Sequence, residues 1–330
     1  MNAESQARAK LVSIIVPVYN EEEVIRIFHE RLINTINSLR YDFEIIYIND
    51  GSTDSSLEIL KTLCDDDGRA GLIDLSRNFG KEIAMTSGID HARGDAVIII
   101  DADLQDPPEL IEKLIEKWNE GFDIVNAQRE SRAGETWFKK YTAYIFYRLI
   151  KKTTHVNIPE DTGDFRLLNR KAVDALTGLR ERNRFMKGLF AWIGYNGATV
   201  LYQRDKRFAG RSKWNYWRLW NLAIEGFTSF TTAPLKMSTY IGMVTAILSL
   251  IYGVYIIART LIFGNPVAGY PSLIVVILFI GGVQLISIGI IGEYLSRIFD
   301  ETKKRPLYLV KELLPCRTRA TRPDEDKLND

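Results

Sequence analysis

Apolar and polar positions alternate along the N-terminal part of the chain as strands and helices alternate in an α/β domain. Short continuous apolar runs are typical of parallel strands covered on both faces, and apolar residues three and four positions apart indicate helices. Repeated β–α units predict a mostly parallel sheet with helices on both faces. The strands are expected at Val12–Val18, Phe43–Ile48, Leu72–Leu75, Ala96–Ile100 and Asp123–Ala127. The helices are expected over Val24–Leu39, Asp54–Leu63, Lys81–Ala92 and Glu109–Glu120.

Two later segments are long and apolar enough to cross a membrane. Met237–Ala258 and Ser272–Gly292 contain no charged residue, and each has about the 20 residues that a bilayer core of about 30 Å requires. Because a short connector with glycine and proline joins them, we expect a hairpin of two transmembrane helices. The same pattern would also fit two helices buried in a soluble core.

Basic residues flank this hairpin on both sides, and lysine and arginine are enriched on the cytoplasmic side of membranes. We therefore expect a multi-pass protein of the inner (plasma) membrane with its N-terminal domain and both termini in the cytoplasm. The tryptophan-rich segment before the hairpin is expected to lie in the membrane interface, although a soluble surface helix fits the same pattern. The expected organisation is an α/β domain over 1–213, an interfacial segment over 214–235, two spans over 236–296 and a tail over 297–330.

Composition excludes some classes of function. The chain has 43 basic and 42 acidic residues and a net charge of +1, so it lacks the basic excess of most nucleic-acid-binding domains. Cys64 and Cys316 are far apart and the three histidines are scattered, which predicts neither a disulfide framework nor a cysteine-based metal site. The polar N-terminal residues show no secretory signal pattern.

Carboxylates follow two of the expected strands, where α/β sheets bind their ligands. Asp50 ends the second strand, where a carboxylate can accept hydrogen bonds from a base or a ribose. Asp101 and Asp103 follow the fourth strand directly. Because adjacent anions repel each other, Mg²⁺ or Mn²⁺ would compensate this pair and complete its shell with phosphate oxygens, and Gln105 could add a neutral oxygen. An exposed acidic turn before a helix is the alternative.

Several motifs together resemble a known family. SIIVPVYNEEEVI, INDGSTD, LSRNFGKE and DADLQDPPE occur in this order and look like the nucleotide-sugar domain of inverting family 2 glycosyltransferases. TGDFRL, RNRFMKGLFAWIGY, RFAGRSKW and GEYLSRIFDETKKRPLY extend the similarity from about Leu11 to Val310. The chain is similar to bacterial bactoprenol glucosyltransferases and, more distantly, to dolichol-phosphate mannose synthases. The resemblance implies a GT-A (Rossmann-like) α/β domain with a C-terminal two-helix transmembrane hairpin.

The resemblance also implies a role for each matching residue. The nucleoside would contact Pro17, Tyr19, Glu21, Asp50 and Asp101, and the metal would be bound by Asp101, Asp103 and Gln105. The donor and acceptor phosphates would meet Arg129, Arg207, Ser212 and Lys213. Asp103 and Asp164 are the catalytic candidates. Asp164 would accept a proton from the acceptor or orient the sugar, and a structural role such as pairing with Arg166 is equally open.

The implied activity is metal-dependent, inverting transfer of a hexose to polyprenyl (undecaprenyl) phosphate at the cytoplasmic membrane face. UDP-glucose is the expected donor, and mannose and aminoarabinose are alternative sugars. A homo-oligomer such as a tetramer is expected. The competing interpretation from another class is a non-catalytic membrane scaffold that binds nucleotide sugar for a flippase. A processive polysaccharide synthase is disfavoured, because the chain lacks the Gln-x-x-Arg-Trp motif and further spans.

Overall fold

The computed structural model describes residues 10–130, 162–182, 184–203, 233–263 and 269–317. These residues belong to two compact units. The first comprises the described residues up to 203 together with residues 306–317, and the second contains two long helices. Arg207, Ser212, Lys213 and most of the expected interfacial segment lie outside the described residues.

Strands and helices alternate in the first unit, as the apolar pattern predicts. The strands are β1 (Leu11–Val18), β2 (Asp42–Asn49), β3 (Ala70–Leu75), β4 (Ala96–Ile99), β5 (Ile124–Arg129), β6 (Thr162–Asn169), β7 (Gly197–Tyr202) and β8 (Val310–Leu314). The helices are α1 (Ile25–Ile36), α2 (Ser56–Asp66), α3 (Lys81–His91), α4 (Leu110–Asn119), α5 (Arg170–Thr177) and α6 (Met186–Trp192). The five expected strands and four expected helices are confirmed, with ends that differ by a few residues.

One of these differences has a clear local cause. The sequence predicts a helix from Asp54, but α2 begins at Ser56. The Asp54 carboxylate accepts hydrogen bonds from the backbone N–H of Ser56 (3.0 Å) and of Glu22 (3.3 Å). Asp54 therefore lies before the helix and satisfies one of its free N–H groups, as a capping side chain does.

The centre of the sheet is apolar because it is covered on both faces. Across the described residues, the strand order is β7-β5-β6-β4-β1-β2-β3-β8. The pairs β1–β2, β1–β4, β2–β3 and β5–β7 are parallel. Ile14, Ile45 and Ile98 in three of the central strands are fully buried, as expected for parallel strands between two helical layers.

The strand β6 departs from this parallel arrangement. It lies between β4 and β5 and is antiparallel to both, with Ile99 opposite Arg166 and Gln128 opposite Thr162. Since its direction is reversed, its first residues lie at the edge where β4 and β5 end. This strand was not predicted from the sequence, although the TGDFRL motif within it is part of the family resemblance.

A strand from the C-terminal tail completes the other side of the sheet. β8 pairs antiparallel with β3, and Arg317 N–H donates to the Gly68 carbonyl at 2.8 Å. Lys61 on α2 also forms an ion pair with Glu312, with a distance of 2.6 Å between Nζ and Oε2. The tail thus covers the edge of β3 that would otherwise be unpaired, and this strand was not predicted from the sequence.

The second unit contains α7 (Ala233–Phe263) and α8 (Tyr270–Thr302). With 31 and 33 residues, the helices are about 46 and 50 Å long at 1.5 Å per residue. Both contain a span long and apolar enough to cross a membrane, and none of either span is buried within the structure. Large apolar side chains such as Leu250 and Leu285 are exposed. This exposure does not fit the alternative of two helices in a soluble core.

We expect Gly71→Ala to loosen the tail strand. A Cβ atom at Gly71 would lie 2.9 Å from the Leu314 carbonyl oxygen and 3.0 Å from the Cys316 amide nitrogen, both backbone atoms. The variant should lose about 1–3 kcal/mol of unfolding free energy, the usual cost of overpacking. Faster hydrogen exchange in residues 309–317, followed by mass spectrometry, would reveal the change.

Gly197→Ala is the matched control, because it also places a methyl group in a strand of this sheet. Its Cβ would lie 3.6 Å from the nearest atom, the Ile124 carbonyl oxygen, which is an ordinary contact. Equal exchange in the tail of both variants would contradict the packing argument.

Candidate active site

The loops after β1 and β2 are tied together at the carboxyl edge of the sheet. Asn20, with a φ of 55°, donates its N–H to Ser52 Oγ at 3.1 Å and accepts from the Thr53 N–H at 2.8 Å. The Glu21 N–H donates to Ser56 Oγ at 2.9 Å. Three predicted nucleoside-binding residues, Pro17, Tyr19 and Glu21, lie in or beside this pair of loops, and Tyr19 is exposed.

The buried carboxylate of Asp50 is directed at the protein backbone. It accepts the N–H of Phe79 at 2.7 Å and the N–H of Gly80 at 3.0 Å. Gly80 has a φ of 95°, which favours glycine, and α3 begins at the next residue, Lys81. Asp50 therefore fixes the start of α3. Direct contact with a nucleoside stays a prediction for this residue.

Lys81 joins two of the predicted site carboxylates. Its Nζ lies 2.7 Å from Oδ1 and 2.8 Å from Oδ2 of Asp101, and it also contacts Oδ2 of Asp164. Asp101 follows β4, and Asp164 lies near the start of the reversed strand β6, so the topology brings them together. The other carboxylate oxygen of Asp164, Oδ1, is buried and has no hydrogen-bond partner among the described residues.

The electrostatics of this cluster follow from burial and from the lysine. Burial favours the neutral form of Asp164, but Lys81 and Lys187 outweigh it and hold the pKa of this carboxyl well below its usual range. Burial raises the pKa of Asp101, although Lys81 opposes the rise. Partial loss of hydration around its ammonium group disfavours the charged form of Lys81, whose stem is exposed, yet its two carboxylate partners raise its pKa. The cluster is therefore an ammonium ion held between carboxylates.

Asp103 and Gln105 occupy a tight turn beyond Asp101. Leu104 has a φ of 59°, and the Gln105 N–H donates to Asp103 Oδ1 at 3.1 Å. Among the described residues, no group of three or more histidine, cysteine, aspartate or glutamate side chains could hold a metal ion. The residues present offer oxygen donors only. They fit Mg²⁺ or Mn²⁺ that takes further oxygen ligands from a bound diphosphate.

Arg129 is anchored beside the same edge. The Tyr202 hydroxyl donates to the buried carboxylate of Asp106, and Arg129 also interacts with Tyr202. Burial lowers the pKa of Arg129, but Tyr202 and the aspartates of the site produce a net rise. Its Nε is buried without a hydrogen-bond partner among the described residues. Gly163 packs between these groups, since a Cβ there would lie 3.7 Å from Arg129 Nη2 and 3.9 Å from Asp106 Oδ2.

Arg166 does not pair with the Asp164 carboxylate. Its guanidinium donates to the Gly163 carbonyl at 2.8 Å and to the Asp164 carbonyl at 3.4 Å, and it lies 3.9 Å from the ring centroid of Phe190. Burial lowers the pKa of Arg166 to about 10. If the role of Asp164 is structural, the partner of its carboxylate is therefore Lys81 and not Arg166.

Glu82, the neighbour of Lys81, is a further half-buried acid in this region. Burial, reinforced by the negative charge of Asp164, raises the pKa of Glu82 to about 7. Its Oε2 accepts the N–H of Met186 at 3.3 Å, at the start of α6.

The structure brings together Asp101, Asp103, Gln105, Arg129 and Asp164, and it leaves Arg207, Ser212 and Lys213 outside the described residues. Lys81, Glu82 and Tyr202 were not among the residues predicted from the sequence. Lys81 and Glu82 stand in the LSRNFGKE motif just after β3, and that position at the carboxyl edge of the sheet was a usable signal. Tyr202 offered no comparable signal, because it lies outside the motifs that carry the resemblance.

Comparison with known families gives two matches. Residues 13–177 match glycosyl transferase family 2, and residues 233–298 match the GtrB C-terminal hairpin. Both agree with the resemblance and with the hairpin expected from the sequence.

Several relatives match along almost the whole chain. An uncharacterized glycosyltransferase of Synechocystis is 54% identical over 302 residues, 92% of this chain and 95% of the relative. A bactoprenol glucosyl transferase of Shigella phage SfX is 50% identical over 91% of this chain and 98% of its own length. A prophage bactoprenol glucosyl transferase homolog of Escherichia coli is 49% identical over 92% and 99%.

Solved structures match more weakly. Glucosyl-3-phosphoglycerate synthase from Mycobacterium tuberculosis, in complex with Mn²⁺, UDP-glucose and phosphoglyceric acid, is 19% identical. The match covers 65% of this chain and 76% of that chain, with a TM-score of 0.44.

We expect the raised pKa of Glu82 to make the stability of the folded protein depend on pH. Because the folded-state pKa of about 7 lies above the ordinary value of 4.5, the folded state binds more protons between these values. Stability should therefore fall as the pH rises from 4.5 to 7 and stay lower above it. Glu82→Gln removes this loss and keeps an acceptor for Met186, so it should be more stable by about 1–3 kcal/mol at pH 8.

The measurement is the Tm of the detergent-solubilised protein from pH 5 to pH 8, for the parent chain and the variant. Glu116→Gln on α4, which is exposed, is the matched control and should follow the parent. Parallel Tm curves for the parent and Glu82→Gln would show that the pKa of Glu82 is ordinary.

Proposed function

Since the chain belongs to glycosyl transferase family 2 and carries a GtrB C-terminal hairpin, we propose that it transfers glucose from UDP-glucose to undecaprenyl phosphate. It is a glycosyltransferase with the GT-A fold, and transfer of a sugar to a lipid carrier follows from its relatives. The sugar, the nucleotide, the divalent metal and the inversion of configuration are the finer parts of the proposal. Glucose rests on the relatives that are named bactoprenol glucosyl transferases.

One observation about the site supports the proposal most. The reversed strand β6 sets Asp164 beside Asp101, with Lys81 in contact with both, and it sets Gly163 beside Arg129. Carboxylates for a metal–diphosphate complex and a half-buried arginine for a second phosphate therefore share one edge of the sheet. A reaction between two phosphate-bearing substrates needs both kinds of group in one place.

On this proposal, the donor lies over the ends of β1, β2 and β4. Pro17, Tyr19 and Glu21 contact the nucleoside. Asp50 supports this site indirectly, because it fixes the backbone of Phe79 and Gly80. Asp101, Asp103 and Gln105 bind Mg²⁺ or Mn²⁺. When bound, the metal neutralises the donor diphosphate and stabilises it as a leaving group.

The acceptor phosphate is already anionic at neutral pH, so it does not need a strong base to become a nucleophile. Arg129 would bind it together with Arg207, Ser212 and Lys213, because a guanidinium matches phosphate oxygens in a bidentate way. A phosphate oxygen forms the new bond to the anomeric carbon while the bond from that carbon to the diphosphate breaks, and UDP leaves. In-line attack inverts the configuration, so an α-linked donor gives a β-linked product.

The low pKa of Asp164 limits the roles that this residue can have in the reaction. A carboxylate whose pKa is held far below 7 by Lys81 and Lys187 binds a proton weakly at neutral pH, so it is a poor general base. We propose that Asp164 orients the sugar through hydrogen bonds and stabilises positive charge that develops on it. Preorganised electrostatics of this kind account for much of catalysis in many enzymes.

The hairpin serves to keep the enzyme at the membrane that contains its lipid acceptor. The proposal includes both spans crossing the plasma membrane, with the catalytic domain and both termini in the cytoplasm, since basic residues flank both spans. Assembly into a homo-oligomer such as a tetramer stays a prediction.

The activity test uses detergent-purified protein, UDP-glucose labelled in the sugar, undecaprenyl phosphate and Mn²⁺ or Mg²⁺. We expect label in the lipid phase, and loss of transfer when a chelator removes the metal. Asp103→Asn should lower the rate at least about 100-fold, because it removes a charged ligand of the metal that stabilises the leaving group.

Asp42→Asn is the matched control, because Asp42 begins β2 at the opposite end of the strand and is exposed. If the protein transfers sugar from another nucleotide sugar and not from UDP-glucose, that nucleotide sugar is the donor and the proposal of glucose is wrong. Folded protein that binds UDP but transfers no sugar from any donor tested would favour the non-catalytic scaffold.

Arg129→Lys tests the acceptor phosphate. The lysine keeps the charge but loses the bidentate geometry, so we expect the KM for undecaprenyl phosphate to rise about tenfold, the equivalent of one charge-assisted hydrogen bond. The KM for UDP-glucose should change little. Steady-state kinetics in mixed micelles with each substrate varied separately gives both values.

Arg69→Lys is the control for this substitution, since Arg69 forms an ion pair with Asp67 (2.9 Å between Nη2 and Oδ2) at the opposite end of the sheet. A rise confined to the KM for UDP-glucose would assign Arg129 to the donor instead.

A further inference from the structure

The ammonium group of Lys81 contacts both carboxylate oxygens of Asp101. The proposed function assigns this residue to the metal site. The Lys81 Nζ lies 2.7 Å from Oδ1 and 2.8 Å from Oδ2 of Asp101. A divalent cation approaching Asp101 needs at least one of these oxygens at about 2.0–2.2 Å. Two cations cannot share so small a space at low cost, because their charges repel each other.

The backbone holds Lys81 in this place before any substrate binds. Asp50 fixes the preceding residues Phe79 and Gly80 through their N–H groups. The side chain beyond Cα remains adaptable, because 42% of it is exposed and its four-carbon stem is flexible. The ammonium group can therefore leave Asp101 while the start of α3 stays fixed.

We propose that Lys81 is a positioning residue. Its ammonium group contacts the Asp101 carboxylate, in place of the divalent cation, until a nucleotide diphosphate binds. This inference rests on the proposed metal site at Asp101 and Asp103. When the metal and nucleotide bind together, the metal takes Asp101, and Lys81 moves to the negative charge of the diphosphate while staying near Asp164. The metal alone binds weakly, because it must displace the lysine without offering it a new anionic partner.

This arrangement couples the metal to the nucleotide. Each ligand makes the binding of the other more favourable by the same factor, as linkage requires. Removing the lysine should relieve the competition and so tighten binding of the metal alone. It should also reduce the factor by which UDP improves that binding.

The test measures Mn²⁺ binding to the full chain in detergent, from the electron paramagnetic resonance signal of free Mn²⁺, with and without UDP. No sugar is transferred, so the readout is independent of activity. For Lys81→Met we expect Mn²⁺ alone to bind about tenfold more tightly than to the parent chain, within the usual range of coupling between ligands. Lys81→Arg keeps the charge and should stay close to the parent.

Two controls separate this competition from a general effect of charge. Lys187→Met removes a positive charge that also acts on Asp164, so it should tighten Mn²⁺ binding much less than Lys81→Met. Adding Asp103→Asn to Lys81→Met should abolish the gain, which would locate it at the proposed metal site. Lys81→Gln is a second neutral variant in case Lys81→Met does not fold.

Each outcome decides the inference. If neutral Lys81 variants bind Mn²⁺ no more tightly than the parent or than Lys187→Met, while UDP still promotes Mn²⁺ binding to the parent, the inference is wrong and the proposed metal site stands. If the parent binds no Mn²⁺ even with UDP, the proposed metal site and the inference both fail. Tight binding of Mn²⁺ alone to the parent would also overturn the inference.

Discussion

The reversed direction of β6 is the constraint on which the site depends. A parallel strand between β4 and β5 would begin at the far edge of the sheet, and Asp164 would lie a full strand length from Asp101. Antiparallel pairing, with Ile99 opposite Arg166, instead puts the start of β6 where its neighbours end. Its first three residues then supply a carboxylate, a close packing position at Gly163 and a carbonyl that accepts from Arg166. The apolar centre of the sheet stays intact, because Phe165 and Leu167 are fully buried.

The repeated β–α units of the fold could be predicted from the sequence alone. Buried parallel strands and amphipathic helices have distinct apolar periods, so β1 to β5 and α1 to α4 could be predicted within a few residues. β8 could not. Its residues Val310–Leu314 alternate little, and what holds the strand is pairing with β3, more than 200 residues away in the sequence. Such a contact between distant segments leaves no periodic pattern in either of them.

The position of Asp50, Asp101 and Asp103 at the carboxyl edge of the sheet could be predicted, because each of them follows a strand, and their roles in binding stay predictions. The partners of these residues could not be predicted. The Asp50 carboxylate accepts from the backbone of Phe79 and Gly80, and backbone groups have no sequence signature. Lys81 begins α3, Asp101 follows β4 and Asp164 lies in β6, so the contact of this lysine with both carboxylates becomes meaningful only after the strands are ordered. Sequence identifies the charges of such a site, and the fold determines which of them neutralise each other.

The strand β8 gives the hairpin an unusual place in the chain. The polypeptide leaves the α/β unit, passes through α7 and α8, and returns to pair with β3. In covalent terms the hairpin is an insertion into the α/β unit rather than an appendage at its end. Cutting the chain once between the sheet and either long helix would therefore leave the enzyme attached to its membrane helices through the other connection. A version without the hairpin would have to retain residues 306–317 and join them to the domain by a linker, because the sheet would otherwise lose its last strand.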